Sequence, residues 1–255
     1  MQVLVTRPEP HNQRCVSMLH ANGYQAIAAP MVKITASEQI EYLPALVKTV
    51  NQQHLIIAVS QYAVEACQTY LAEHALSWPQ NCQYLAVGKA TAECWQQYGV
   101  KAMVPARQDS EGMLELINNQ LQGIKQAHIL RGQQGREWLA EQLQKQAIQV
   151  NYLTCYQRQL LHYSSQQLDQ WRSQINTIVA TSGEILKHLT TLMSEPKQLR
   201  WLKNTKLLVP SQRLLEYANS LGFMHTVLCD GASDKACIDA LARMQSSARN
   251  ENDQK

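Results

Sequence analysis

Polar and charged side chains follow apolar, strand-like runs at eight places in this sequence. Parallel sheets bind ligands beyond the carboxyl ends of their strands, where helix N-termini present free N–H donors and the positive end of the helix dipole. Taken singly, a serine or threonine at such a place is explained as a helix N-cap. Together they predict a cleft that binds an anion, and the candidate positions are Thr6-Arg7, Ser60-Gln61, Gly88-Lys89, Ser110-Glu111, Arg131-Gly132, Thr181-Ser182, Pro210-Ser211 and Ser233.

A tyrosine offers the second element of chemistry. Tyr156 begins an extended stretch, 156–163, that polar residues interrupt. A tyrosine in a connector usually packs, because its ring buries well while its hydroxyl stays in water. The same hydroxyl can donate a proton to a leaving group. Both roles stay open at the level of the residues.

The motifs of other reaction types are absent from the sequence. It contains no G-x-G-x-x-G after a strand, no G-x-x-x-x-G-K-[ST], no H-E-x-x-H and no G-x-S-x-G. Gly132-x-x-Gly135-Arg136 follows a strand but is too short for a dinucleotide fingerprint. The eight histidines are scattered without the spacing of metal ligands. We therefore expect neither a metal nor a nucleotide cofactor.

Short apolar runs alternate with amphipathic stretches, which is typical of βα units around a mostly parallel sheet. The sequence therefore predicts an α/β fold. The predicted strands lie near 2–6, 26–30, 54–59, 83–87, 101–104, 126–130, 149–155, 176–181, 205–209 and 225–229. The predicted helices lie near 9–22, 61–75, 89–98, 110–121, 133–146, 183–193, 211–221 and 233–245.

The pattern reads through nearly twice. Leu55–Ser60 recurs 122 residues later as Thr177–Ser182, and Leu85–Gly88 recurs at the same offset as Leu207–Pro210. Ser110-Glu111 recurs as Ser233-Asp234 at 123, and Thr6–Pro8 recurs weakly as Leu130–Gly132 at 124. Such a long period disfavours a TIM barrel, which repeats in eight units of roughly 30 residues. It predicts two similar α/β lobes with a ligand between them.

The sequence alone allows two positions for the boundary between these lobes. One is a simple cut near residue 125. The other uses the extended stretches 31–37 and 156–163 as two crossings, so that the middle of the chain forms one lobe and its two ends form the other.

Composition narrows the class of protein. The chain has 255 residues, 45% of them hydrophobic, and a net charge of +3 without any lysine–arginine cluster, so we expect no nucleic-acid partner. Seven cysteines, an odd number without a C-x-x-C pair, indicate a reducing compartment. No apolar run approaches the roughly 18 residues of a membrane helix, and the first strand starts without a leader. We expect a cytoplasmic protein that does not enter a membrane.

Six motifs in register across the chain resemble the uroporphyrinogen-III synthase family, in particular its proteobacterial branch. Each motif alone is weak, but their order and spacing are specific. They are Val3–Pro8, Ala58–Val64, Ala86–Ala92, Ile129–Arg136, Cys155–Arg158 and Val179–Glu184.

The resemblance implies a fold and an activity. The fold is two doubly wound, flavodoxin-like lobes joined by a two-stranded connector, with a discontinuous first domain of 1–33 and 160–246, a second domain of 34–159 and a flexible tail of 247–255. The activity is closure of the linear octacarboxylate hydroxymethylbilane to uroporphyrinogen III, with inversion of ring D and loss of water, without a cofactor. The family implies a cytoplasmic enzyme, which we expect to be a monomer.

The resemblance also implies a set of site residues. It makes Tyr156 the candidate for assisting departure of the hydroxyl, and it places Ser60, Gly88, Thr91 and Ser182 in the cleft. The strand ends add further candidates for binding substrate: Arg7, Lys89, Ser110, Arg131, Gly132, Thr181 and Ser211. The chain departs from its relatives at Val209–Arg213, where many carry a second glycine–threonine turn, so the resemblance gives Ser211 and Arg213 no firm role.

Two other classes of function compete with the enzyme. A bilobed module that binds a small anion without converting it fits the absence of a strong nucleophile or base. A purely structural protein fits less well, since it needs no polar residues facing a cleft.

Overall fold

The computed structural model describes the backbone of residues 1–253 and the side chains of residues 1–246. Within these residues the chain forms the strands β1 (Gln2–Val5), β2 (Gln25–Ala28), β3 (Val32–Ala36), β4 (His54–Ala58), β5 (Gln83–Ala86), β6 (Gln126–Gly132), β7 (Gln149–Leu160), β8 (Thr177–Val179), β9 (Lys206–Val209) and β10 (Thr226–Leu228). The helices are α1 (His11–Ala21), α2 (Leu43–Thr49), α3 (Gln61–Glu73), α4 (Lys89–Gln96), α5 (Ser110–Gln120), α6 (Trp138–Lys145), α7 (Ser165–Gln174), α8 (Gly183–Leu192), α9 (Pro196–Asn204), α10 (Gln212–Ser220) and α11 (Asp234–Asp253), with a 3₁₀ turn at Glu38–Tyr42.

The chain divides into two compact units. The terminal unit comprises Met1–Lys33 and Gln159–Lys255, and the central unit comprises Ile34–Arg158. The sheet of the terminal unit has the strand order β10-β9-β8-β1-β2, and the sheet of the central unit has the order β3-β7-β6-β4-β5. The chain passes from one unit to the other within β3 and again within β7, two neighbouring strands.

The prediction of an α/β fold with parallel sheets is confirmed. In the terminal unit β1 pairs in parallel with β2 and with β8, and β9 pairs in parallel with β8 and with β10. In the central unit β4 pairs in parallel with β5 and β6, and β6 with β7. All strands of a parallel sheet end at one edge, so polar residues that follow different strands meet there.

The repeat in the sequence is also a repeat in topology. The segment around Met103 bridges Leu85 of β5 in parallel, so the central sheet reads Met103-β5-β4-β6-β7. The terminal sheet reads β10-β9-β8-β1-β2 in the same direction. Each unit therefore combines β-strands from both copies of the repeat, and Arg7 after β1 is the counterpart of Arg131 in β6.

Strand β4 shows why these sequences form a sheet that is covered on both faces. Its alternate side chains, Leu55 and Ile57, pack in one core with α5 and α6 residues. Ile56 and Ala58 pack in a second core with residues of α3 and α4. All four side chains are fully buried. An uninterrupted apolar strand is the expected sequence for a sheet with helices on both sides.

The elements differ from the predicted ones in a few places. Three helices were not predicted, α2, α7 and α9, yet each carries a start signal. Ser164 and Gln167 form a capping box at α7, and prolines occupy the first turn of α2 and of α9. The predicted strand at 101–104 is reduced to a single bridge at Met103, and Pro105, which has no N–H to donate, follows closely.

A histidine pair lies across β4 and β6. His128 Nε2 is 3.2 Å from His54 Nδ1, and His128 is 6% exposed. Burial, and then the proximity of His54, lower the pKa of His128 to about 4. Because the folded protein disfavours protonated His128, its contribution to stability is complete above the unfolded pKa of about 6.5 and is lost as the pH falls towards 4.

We therefore expect the His128→Gln variant to lose less stability on acidification than the parent protein. Between pH 7 and pH 4.5 the difference should be about 2 kcal/mol in the free energy of unfolding. Urea titrations at both pH values measure it. His74→Gln, which changes an exposed histidine of the same unit, should follow the parent. Parallel curves for the parent and His128→Gln would contradict a buried neutral histidine.

No helix among the described residues is long and apolar enough to cross a membrane. Of the predicted tail, 247–255, the backbone is helical as far as Asp253, and 254–255 lie outside the described residues.

Candidate active site

A cavity of about 260 Å³ lies in the central unit, where β4, β6 and β7 meet the helices that follow the strand ends. It gathers five of the predicted site residues: Ser60, Ser110, Arg131, Gly132 and Tyr156. Apolar side chains form much of the remaining wall. The other lining residues are Val59, Val87, Met113, Ile129, Gln134, Gly135, Arg136, Leu139 and Tyr152.

Gly132 and Tyr156 form one wall of this cavity. The register between β6 and β7 shifts after Arg131, and the shift brings Tyr156 opposite Gly132. A Cβ atom at residue 132 would lie 2.8 Å from Tyr156 Cζ and 3.1 Å from its hydroxyl oxygen. Tyr156 is 6% exposed, and its ring centroid is 5.9 Å from that of Tyr62. The glycine is required because the tyrosine ring occupies the space of a side chain.

Arg131 supplies a buried positive charge. Its side chain is 8% exposed. Its Nε donates to the Gly132 carbonyl at 3.2 Å, its Nη2 donates to the Gly135 carbonyl at 3.2 Å, and its guanidinium lies 4.6 Å from the ring centroid of Tyr152. Carbonyl acceptors and an aromatic face hold the group in place without cancelling its charge. The site therefore presents a fixed cation in a partly apolar cavity, where charged contacts are strong.

Arg136 also lines the cavity, and it pairs with Glu111. Arg136 Nη2 lies 2.8 Å from Glu111 Oε1, and this hydrogen bond holds the pKa of the Glu111 carboxyl below its ordinary value. Both side chains are accessible, Arg136 with 63% of its surface exposed. An exposed pair of this kind contributes little stability, so Arg136 is available to an incoming anion.

The serines of this edge act as caps less uniformly than the sequence predicts. Ser60 does cap α3, since its Oγ accepts from the Tyr62 N–H at 3.2 Å. Ser110 is the first residue of α5, and the cap is Asp109, whose carboxylate accepts from the Gly112 N–H at 2.8 Å. Hydrogen bonds from Arg107 and from this N–H lower the pKa of Asp109. The hydroxyl of Ser110 is thereby left at the cavity wall.

Gly88, Lys89 and Thr91 lie at the end of the neighbouring strand β5 and do not line the cavity. Gly88 is the N-cap residue of α4, and the Gln108 side chain accepts from the Lys89 N–H at 3.0 Å. A Cβ at residue 88 would lie 2.3 Å from Gln108 Oε1. Thr91 is 5% exposed. The amide of Gln108 thus occupies the helix end that the sequence predicts for an anion.

The terminal unit contains the counterpart edge, and there Arg7 lies in an ion pair within the protein. Arg7 is 7% exposed, and its Nη1 lies 2.6 Å from Asp234 Oδ1. Asp234, 6% exposed, also holds the Arg14 Nε at 2.7 Å. The adjoining space measures only about 10 Å³, roughly one water molecule. Arg7 therefore serves a buried ion-pair network.

The remaining predicted residues of the terminal unit lie at helix starts. Ser182 caps α8 by accepting from the Ile185 N–H at 3.3 Å, and Ser211 caps α10 by accepting from the Leu214 N–H at 3.3 Å. Thr181 lies beside Arg7 at the end of β8, and Arg213 is exposed. The two serine hydroxyls belong to helix caps in the structure.

Sequence reasoning missed Tyr152 and Gln134 and gave Arg136 no role. The strand period gives no signal for Tyr152, because the register shift after Arg131 breaks the alternation of faces between Tyr152 and Tyr156. Arg136 belongs to a motif of the sequence, but its approach to the cavity depends on the loop after β6, which the motif does not determine.

Comparison with known proteins places the chain. The family model Uroporphyrinogen-III synthase HemD matches residues 13–239. The chain is 33% identical over 245 residues to uroporphyrinogen-III synthase of Escherichia coli strain K12, and this alignment covers 94% of the chain and 100% of that enzyme. This chain belongs to the uroporphyrinogen-III synthase family. Uroporphyrinogen-III synthase of Salmonella typhimurium is 34% identical over the same length and coverage. The resemblance to this family is confirmed.

Solved structures support the family assignment at the level of the fold. A crystal structure of a mutant uroporphyrinogen III synthase from the extremely thermophilic bacterium Thermus thermophilus matches with a TM-score of 0.64. The match covers 98% of this chain and 99% of that one at 15% sequence identity. Members of the uroporphyrinogen-III synthase family therefore share this α/β architecture with parallel sheets even where few residues are identical.

Proposed function

We propose that this protein is a uroporphyrinogen-III synthase. It closes linear hydroxymethylbilane to uroporphyrinogen III, inverts ring D and releases water, which makes it a lyase. The observation that carries this proposal is the 33% identity to the E. coli enzyme along that enzyme's whole length. The central cavity supports it independently, since a fixed cation, an exposed arginine and hydroxyls converge there on a space of about 260 Å³.

The proposed site fits the chemistry of a polycarboxylate. Arg131 and Arg136 are the groups of the cavity suited to bind carboxylates directly, because a guanidinium meets a carboxylate with two parallel hydrogen bonds. Ser60, Ser110 and the backbone at Gly132 add neutral donors. Such donors suit an octacarboxylate, because two cationic side chains line the cavity and eight carboxylates need further partners.

Tyr156 is the proposed acid. Loss of the substrate hydroxyl as water needs one proton delivered to that oxygen as the carbon–oxygen bond breaks, and a phenol at the cavity wall can deliver it. The buried ring is fixed between Gly132 and Tyr62. A fixed proton donor and fixed carboxylate ligands also reduce the entropy cost of bringing the two ends of a flexible chain together.

The other predicted site residues do not line the cavity, and we propose further substrate contacts for them. A second proposed binding position is the N-terminus of α4 at the end of β5, formed by Gly88, Lys89 and Thr91. The Gln108 side chain occupies this helix end and must move away before a substrate carboxylate can bind there. Thr181, Ser182 and Ser211 of the terminal unit are proposed to bind further carboxylates through their hydroxyls and helix N-termini. Arg7 is proposed as a ligand that binds a substrate carboxylate in exchange for Asp234, its partner in the structure.

The product isomer tests the function. Purified protein is supplied with hydroxymethylbilane generated enzymatically, and the cyclised products are oxidised and separated by chromatography. We expect the type III isomer to dominate. Formation of the symmetric type I isomer alone, at the spontaneous rate, would contradict the proposed activity.

Replacing Tyr156 with phenylalanine should lower kcat by about tenfold to a hundredfold, the usual range for loss of a general acid, with the fold retained. Steady-state assays of uroporphyrinogen III formation measure the change. Tyr84→Phe is the matched control, because Tyr84 belongs to the same unit but its hydroxyl donates to the Pro79 carbonyl at 2.7 Å. An unchanged rate in Tyr156→Phe would return Tyr156 to a packing role.

A cytoplasmic location and a monomeric state remain predictions within this proposal. The location is supported by the seven cysteines, which are all free thiols in the structure. This suits a reducing compartment. Sedimentation of the purified protein measures the oligomeric state.

A further inference from the structure

The two copies of the repeat each place a buried arginine at the equivalent strand end. The two arginines differ in the carboxylate that neutralises their charge. In the terminal unit Arg7 meets Asp234 at 2.6 Å. The counterpart of Asp234 in the repeat is Glu111, 123 residues earlier. Glu111 instead pairs with Arg136 at 2.8 Å, so Arg131 lacks the close carboxylate that its counterpart Arg7 has. Arg131 can therefore bind an anion other than the counterpart of Asp234.

The carboxylate nearest to Arg131 belongs to Glu137. Its Oε1 lies 3.6 Å from Arg131 Nη1, which is beyond hydrogen-bond distance. The Glu137 side chain is 67% exposed, so water competes with Arg131 for its carboxylate. The other two guanidinium nitrogens already donate to backbone carbonyls. Nη1 is thus the part of the buried cation that faces a loosely held, solvated partner.

Glu137 is also placed at the start of a helix. It is the N-cap residue of α6, and its side chain makes no capping hydrogen bond. A negative charge beside a helix N-terminus is stabilised by the helix dipole. The helix dipole therefore favours a negative charge at residue 137 in addition to the buried guanidinium.

We propose that Glu137 is an internal stand-in for a substrate carboxylate. In the free protein its carboxylate neutralises Arg131. When substrate binds, a side-chain carboxylate of one pyrrole ring takes the position on Nη1, and Glu137 turns into solvent. The identity of the ligand rests on the proposed function, whereas the exchange of one carboxylate for another rests on the geometry alone. Glu137 thereby sets how strongly the cavity binds anions.

The variant Glu137→Gln tests this exchange, because it keeps the shape of the side chain and removes its charge. We expect KM for hydroxymethylbilane to fall by about two- to fivefold at low salt, the value of one partly exposed ion pair, with kcat unchanged. The gain should shrink as ionic strength rises. The free variant should melt at a slightly lower temperature than the parent, since it leaves Arg131 without a counter-charge.

Glu141→Gln is the matched control. Glu141 lies one turn further along α6, is exposed, and loses the same charge. KM should not change in this variant. The gain from Glu137→Gln should also disappear in an Arg131→Gln background, because the two residues act on the same position. An equal KM change in Glu141→Gln, a gain that persists without Arg131, an unchanged or raised KM, or a fall in kcat would each overturn the proposal.

A binding measurement separates this proposal from the proposed activity. The probe is a monopyrrole with one acetate and one propionate chain, titrated into parent and Glu137→Gln protein and followed by NMR chemical shifts. Tighter binding by the variant supports the stand-in role even where no type III isomer is formed. Equal binding by both proteins overturns it even where the isomer assay succeeds.

Discussion

Replacing Asp234 with alanine is expected to lower the free energy of unfolding by about 3–5 kcal/mol, the cost of leaving a buried charge without its partner. Asp234 is 6% exposed and binds Arg7 at 2.6 Å and Arg14 at 2.7 Å. Arg7 is the reason that the effect is large, because its guanidinium is itself buried and cannot turn to water. Arg14 is 57% exposed, so solvent replaces its lost contact. Urea unfolding, followed by circular dichroism, measures the change.

Two further variants identify the cause. Asp239→Ala removes an exposed carboxylate from the same helix and should stay within about 0.5 kcal/mol of the parent, as surface substitutions do. The double variant Arg7→Met, Asp234→Leu replaces the pair by apolar groups and should recover most of the loss, since buried ion pairs are often no more stable than apolar replacements. A double variant as unstable as Asp234→Ala would show that the loss comes from packing and not from the unpaired charge.

The alternation of apolar runs was sufficient to predict the sheets, because it reflects burial on both faces. Strand β4 illustrates this, since each of its last four residues faces one core or the other. The helices that were not predicted lack such a strong burial pattern. Helix α7 has only two buried side chains, Leu168 and Trp171, so its periodicity is too weak to register. Its capping box was the stronger signal.

Site residues were predictable to the extent that strand ends determine them. Arg7 lies just after β1 and Arg131 lies near the end of the equivalent strand β6. The two look alike in sequence, yet of these two only Arg131 faces an open cavity. The difference comes from Asp234, which lies 227 residues from Arg7 and reaches it only in the folded unit. Gln108 affects Gly88 in the same way, since a loop side chain 19 residues from Lys89 occupies the helix end. Partners brought by folding cannot be read from local patterns.

The N-cap residue of a helix was also harder to predict than the end of a strand. Ser110 and Asp109 are both suitable N-cap residues, and they are adjacent. The carboxylate of Asp109 reaches the Gly112 N–H, and Arg107 supports it at 2.8 Å. The choice shifts the helix start by one residue and leaves the Ser110 hydroxyl at the cavity. A one-residue difference of this kind decides whether a serine hydroxyl caps a helix or faces a cavity.

Gly132→Ala is expected to lower kcat/KM for uroporphyrinogen III formation by roughly tenfold to a hundredfold, through displacement of the proposed acid. The new methyl group would lie 2.8 Å from Tyr156 Cζ, closer than carbon atoms approach without repulsion. Residue 132 is held in β6 by its pairing with β7, and Tyr156 is packed near Tyr62, so the ring must shift or tilt. An error of about 1 Å in the position of a catalytic group costs up to about a hundredfold, which is the same range as removal of the hydroxyl in Tyr156→Phe.

A double-mutant cycle decides whether the tyrosine carries this effect. In a Tyr156→Ala background the ring is gone, so Gly132→Ala meets no obstacle and should change kcat/KM by less than about threefold, as for a substitution that has lost its only partner. Circular dichroism and melting temperature check that each variant is folded. A similar loss in both backgrounds would locate the damage in the backbone of β6. A Gly132→Ala enzyme as active as the parent would mean that the position of Tyr156 does not limit the reaction, and the proposed proton transfer would have to be assigned elsewhere.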